Sequence, residues 1–118
     1  MLGRADFNDY CGSLTASTHV VQWGGADVWK VGGKVFAIGG WKDGRDAYTF
    51  KVTPLGFEVL SDAPGIRPAP YMASRGLLWV QVYDFPGLSK EELKEHLLAS
   101  YDMVRAKLTR KKRLELGL

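Results

Sequence analysis

The sequence predicts an α+β fold, a two-layer sandwich in which helices pack on one face of an antiparallel β-sheet. Two patterns carry this expectation. Residues 28–38 read as two strands joined by Gly32-Gly33, and residues 89–108 read as an amphipathic helix opened by a capping box. Around them turn signals recur every few residues, with no internal repeat and no long linker, so residues 1–118 are expected to form one domain. An apolar fraction of 46% and a charged fraction of 25% match an average globular chain and exclude wholesale disorder.

The elements follow in order. Asp6 to Leu14 has Phe7, Tyr10, Cys11 and Leu14 at helical spacing, which predicts a short first helix. Ser17 to Trp23 is β-branched and weakly alternating, a strand ended by Gly24-Gly25. Val28–Val31 and Lys34–Ile38 then flank two glycines that both tolerate positive φ. That register sets Val31 opposite Lys34 and Trp29 opposite Phe36 as an aromatic cross-strand pair. A longer loop over 39–45 leads into Ala47–Thr53, where Tyr48, Phe50 and Val52 alternate with Thr49 and Lys51.

Pro54 opens a short helix carrying Leu55, Val59 and Leu60. The segment Gly65 to Tyr71 holds Pro68 and Pro70 and is excluded from the centre of a sheet. Leu77–Val82 is apolar almost throughout and reads as a strand buried on both sides. Ser89 and Glu92 have capping-box spacing, and Leu93, Leu97, Tyr101, Val104 and Leu108 continue one apolar stripe in a long final helix.

Charge is unevenly spread. Residues 1–104 carry ten Lys/Arg and twelve Asp/Glu, whereas residues 105–118 carry six Lys/Arg and only Glu115. The basic end, with Arg105, Lys107, Arg110, Lys111, Lys112 and Arg113, suits phosphates, or else complements a helix dipole and keeps that end solvated. A single cysteine, Cys11, makes no internal disulfide, and no apolar run is long enough to span a bilayer. A cytoplasmic monomer with no membrane association is the expectation.

Several of these residues, taken together, carry a resemblance. The stretch Trp29-Lys30-Val31-Gly32-Gly33-Lys34-Val35-Phe36-Ala37 resembles the signature hairpin of the MmcQ/YjbR family. Lys51 with Pro54, Ile66 to Tyr71, Leu78-Trp79-Val80, and Ser100-Tyr101 leading to Val104, Lys107 and Leu108 follow in the family's order and cover nearly the whole chain. The resemblance implies a CyaY-like (frataxin-like) helix-flanked antiparallel sheet and a DNA-binding role attached to a double-wing motif. One departure is visible: the family tends to show a Leu-Pro step after Cys11, and here Thr15 follows Leu14.

Chemical motifs are sparse. A P-loop needs a glycine where Val28 stands and a Ser or Thr where Val35 stands, so the glycine hairpin is not one. His19 and His96 are far apart, with no Cys/His cluster at metal spacing, and read as structural or surface histidines. Cys11 reads as a small packed hydrophobe. Asp43, Asp46, Asp62 and Asp84 fall in turns, where Asp is favoured for local hydrogen bonds. No enzyme activity, cofactor or metal is expected.

Basic residues interleaved with aromatics are the stronger signal. Lys30, Lys34, Lys42, Arg45, Lys51, Arg67 and Arg75 lie among Trp29, Trp41, Tyr71 and Trp79 and form the candidate nucleic-acid-binding set. If the two hairpin loops project as wings, Lys34, Lys42 and Arg45 stand near their tips. Arg67 sits in a stiff loop and suits the grip of an anion, a cap on the sheet or a pair with a helix carboxylate. Two functions follow: a non-enzymatic DNA-binding module using these residues and the basic end, or a protein-interaction domain using the open sheet face or the final helix. An exposed patch containing Trp41 and Trp79 would favour the second.

Overall fold

The computed structural model describes residues 2–40 and 46–118. Its strands are β1 (Ser17–Gln22), β2 (Ala26–Val31), β3 (Lys34–Gly39), β4 (Tyr48–Lys51), β5 (Ile66–Pro68) and β6 (Trp79–Val82). They form one sheet in the order β1-β2-β3-β4-β6-β5, with every neighbouring pair antiparallel. The helices are α1 (Arg4–Ser13), α2 (Pro54–Leu60), α3 (Lys90–Ala106) and α4 (Arg110–Leu116), with a 3-10 turn at Ala73–Arg75. The predicted α+β sandwich is the observed one.

The β2–β3 hairpin forms as the two glycines require. Gly32 and Gly33 have φ of 59° and 79°, and Val31 pairs with Lys34. Two residues further along, the predicted register fails: Trp29 pairs with Ala37, not Phe36. A bulge between Trp29 and Lys30 accounts for it, since Lys30 pairs with Val35 and Phe36 becomes the extra residue. The bulge turns the Phe36 ring onto α3, edge-on to Tyr101 at 5.3 Å between centroids.

The main core lies between the sheet and the helices. Trp29, Val31, Tyr48, Phe50, Val80 and Val82 meet Phe7 and Cys11 of α1 and Leu93, Leu97, Tyr101 and Val104 of α3. These helical residues recur at three- and four-residue spacing, so each helix buries one stripe. Ser89 and Glu92 make the reciprocal capping box that fixes where α3 starts.

The opposite face of the sheet is not open. By register Val20, Val28, Ile38, Thr49, Gln81 and Arg67 form one row across all six strands. The four central members of that row are fully buried, and Met72 from the β5–β6 connection packs on this side. This explains why every residue of β6 is buried, as expected, although the strand begins at Trp79 and leaves Leu77 exposed. The proline-bearing β5 occupies the sheet edge, the one place a strand tolerates it.

The expected helix opened by Pro54 forms as α2, with Leu55 and Val59 exposed and Phe57 with Leu60 in contact with the core. One helix expectation is corrected. The final helix is not continuous: α3 ends at Ala106, Leu108 packs in the linker, and Thr109 caps a separate α4. Arg110, Lys111 and Lys112 therefore stand in a first helical turn, where a positive charge opposes the helix dipole instead of complementing it.

Candidate phosphate-binding cleft

The site begins with a gap in the sheet. β3 and β4 stay paired from Gly39↔Tyr48 to Ala37↔Phe50 and pair no further. Beyond that point the Ser100 hydroxyl of α3 is inserted between them. It accepts from the Lys51 backbone N–H at 2.9 Å and donates to the Phe36 carbonyl at 2.7 Å. Both backbone groups would otherwise be severed from their ladder, so the hydroxyl satisfies what the divergence exposes.

A cleft of about 370 Å³ opens where the strands part. Its lining comes from three places: Lys34 and Val35 of β3, Lys51 and Trp79 of the β4–β6 pair, and Val104 and Lys107 at the end of α3. Lys51 and Trp79 are direct cross-strand partners. The Gly32 turn also rests on Leu108, because a Cβ at Gly32 would lie 2.7 Å from both Leu108 δ-carbons. The tip of the first hairpin is thus seated against the α3–α4 linker, and Lys34, the first residue after the turn, lines the cleft.

Three lysines line one hollow whose other lining residues, Val35, Trp79 and Val104, are apolar. None of the ion pairs among the described residues involves Lys34, Lys51 or Lys107. The pKa of Lys51 is held below the ordinary lysine value, first by its hydrogen-bonding contact with Lys107, then by burial and by the Lys107 charge. An anion placed between these amines would relieve that repulsion. A second hollow of about 150 Å³, lined by Thr53, Gly56, His96, Ala99 and Met103, adjoins the first through Lys51.

The sequence-selected set divides on this geometry. Lys34 and Lys51 line the cleft, and Lys30 lies beside it, paired with Val35. Arg75 is exposed in the 3-10 turn and does not line the cleft. Arg67 donates through Nε and Nη2 to Gln81 Oε1 at 2.9 and 2.7 Å, and its guanidinium lies 4.6 Å from the Tyr83 ring centroid. Of its three roles, the structure supports the cap on the sheet. Lys42, Arg45 and Trp41 lie outside the described residues. Lys107, which the candidate set omitted, completes the cleft.

The other polar cluster is structural. The Asp27 carboxylate accepts from Arg4 Nε at 2.6 Å and Asn8 Nδ2 at 3.1 Å, and bonds His19 Nε2 at 2.7 Å, tying α1 to β1 and β2. Burial alone would raise the pKa of Asp27, yet the bonds from His19, Arg4 and Asn8 and the Arg4 charge carry it below the ordinary value. Asn8 Oδ1 accepts from Trp29 Nε1 at 2.9 Å, so this cluster also fixes a core ring. Cys11 is fully buried and its thiol is pushed far up by that burial, which suits packing and not nucleophilic attack. Among the described residues no group of His, Cys, Asp and Glu is arranged to hold a metal ion, and no helix is long and apolar enough to cross a membrane.

Known proteins resemble the chain as follows. The crystal structure of Deinococcus radiodurans protein DR2400, which carries a DUF419 domain, superposes with a TM-score of 0.81 at 28% identity, covering 97% of this chain and 87% of that one. A protein from Pseudomonas syringae shares the fold at a TM-score of 0.68 and 22% identity, over 87% of this chain and 99% of that one. No curated protein matches it in sequence. The YjbR family model matches residues 12–103, a span that runs from the end of α1 through the signature hairpin and into the last turn of α3, so the chain belongs to the YjbR family.

Proposed function

We propose that this protein is a non-enzymatic binding module that contacts nucleic-acid phosphates, DNA being the expected partner, through the cleft between β3, β4 and the end of α3. The observation that carries this reading is the convergence of Lys34, Lys51 and Lys107 on one hollow with no carboxylate paired to them among the described residues. Amines in such a hollow attract phosphate oxygens. The exposed basic turn Arg110–Lys112 continues the chain directly after Lys107 and adds positive charge that the helix dipole does not call for.

This reading moves the contact from projecting hairpin tips to one tip docked on the α3–α4 linker. A double wing would use Lys34 on a freely projecting tip, whereas the Gly32 contact with Leu108 holds that tip beside the cleft. The protein-interaction alternative is less well supported. The centre of the sheet face it would use is buried, Trp79 is only 8% exposed, and the final helix it names as its other surface divides into α3 and α4.

Titration of the full chain with single-stranded and duplex DNA at two salt concentrations, read by tryptophan fluorescence, tests the proposal. Saturable binding that collapses at high salt and is lost in Lys34→Ala/Lys107→Ala is expected. Binding unchanged in that double variant would remove the cleft from the interface.

A further inference from the structure

The cleft is also selective about which phosphate it suits. We infer that it takes a terminal phosphomonoester at the end of a nucleic-acid strand, in preference to an internal phosphodiester. This inference rests on the phosphate-binding reading above and names the kind of phosphate that fits.

Charge is the first reason. Lys34, Lys51 and Lys107 bring three ammonium groups to one hollow. An internal diester carries a single negative charge, whereas a phosphomonoester carries about −1.5 to −2 at neutral pH and exposes three acceptor oxygens. Three donors from three separate elements match three terminal oxygens, while a diester offers only two free ones.

Shape is the second reason. About 370 Å³ is near the lower end of small-ligand sites, which run from about 300 to 1,000 Å³, and gives room for one nucleotide-sized group. The hollow is open on one side and lined on the others by β3, by the β4–β6 pair and by α3 with Lys107, so a phosphate held against the lysines keeps a path to solvent for one flanking chain. A strand end needs one exit. The apolar part of the lining, Val35, Trp79 and Val104, then faces the sugar and base of the last nucleotide.

The experiment compares short single strands of one sequence bearing a 5′-phosphate, a 3′-phosphate or only hydroxyl ends, titrated into the full chain at low salt. One phosphorylated strand is expected to bind at least about tenfold more tightly than the hydroxyl strand. A nucleoside monophosphate is expected to compete, while the nucleoside does not. Lys107→Ala should abolish the preference, and Lys90→Ala, exposed at the start of α3 and outside the cleft, should keep it. Equal affinity for phosphorylated and hydroxyl strands, with binding still lost in Lys34→Ala/Lys107→Ala, would overturn the terminal-phosphate inference and leave the phosphate reading standing. Failure of every strand, and of a duplex titrated alongside them, to bind at low salt would overturn both.

Discussion

The Ser100 hydroxyl replaces a rung of the sheet for Lys51: it accepts a hydrogen bond from the Lys51 N–H at 2.9 Å and donates one to the Phe36 carbonyl at 2.7 Å. One buried side chain from α3 thereby holds open the divergence of β3 and β4 that forms the cleft. Ser100→Ala strands both backbone groups in a site with no exposure. The expected loss is about 1–3 kcal/mol of stability, read by chemical denaturation. Affinity for phosphate-bearing strands should fall as well, because the backbone that carries Lys51 loses its anchor. An unaltered denaturation midpoint would mean that β3 and β4 close up without the hydroxyl.

The elements that could be read in sequence are those whose signals are local. Gly32-Gly33 specifies its own turn, and Ser89 with Glu92 specifies its own helix start. The bulge escaped because Trp29 and Phe36 alternate correctly with their neighbours until an extra residue is inserted, and only Tyr101, far along the chain, gives Phe36 a reason to turn. The break after α3 escaped because Leu108 keeps four-residue spacing from Val104, which a helix and a buried linker both satisfy. Thr109 before a polar run was the available signal, as an N-cap. Of the apolar residues on the seven-residue α2, Leu60 packs on the core with Phe57, and so short a helix has too few turns for periodicity to single out that pair. At the cleft, Lys34 and Lys51 were legible as basic residues near a hairpin. Their convergence with Lys107 was not, since it depends on where two strands part.

Arg67 and Lys34 should separate stability from binding. Both were candidates for phosphate contact, but the Arg67 guanidinium spends two of its donors on the buried Gln81 oxygen. Arg67→Ala is expected to cost about 1–2 kcal/mol of stability and to leave DNA affinity nearly unchanged. Lys34→Ala should leave stability within about 0.5 kcal/mol and reduce the slope of log K against log salt by about 0.7 for single strands. The opposite pattern would return Arg67 to the binding surface.

Gly32→Ala tests the seat of the first hairpin. The new Cβ would meet Leu108 at 2.7 Å and would sit on a residue whose φ of 59° disfavours a side chain. A left-handed residue costs about 1–2 kcal/mol, and Leu108 must shift as well. The expected loss is about 1–3 kcal/mol. Gly33→Ala has a similar φ and meets nothing within 4 Å, so it isolates the backbone cost. Equal losses in the two variants would show that the Leu108 contact contributes nothing.

Acid should unfold the protein in two steps of stability loss with different owners. His96 is half-buried against Phe50, and burial lowers its pKa from the ordinary 6.5. As pH falls below 6.5 the unfolded chain takes that proton before the folded one does, so stability declines until the folded pKa is passed. Asp27 acts in a lower window. Its folded pKa lies below the ordinary 3.8 despite burial, because His19, Arg4 and Asn8 bond the carboxylate. Its contribution is therefore complete above 3.8 and is lost as pH falls from there through the folded pKa. Denaturation midpoints measured from neutral pH downward should show His96→Gln flattening the first decline only. Asp27→Asn should lower stability at neutral pH and flatten the second. If His96→Gln leaves the upper decline intact, the buried imidazole is not its source and another group must account for it.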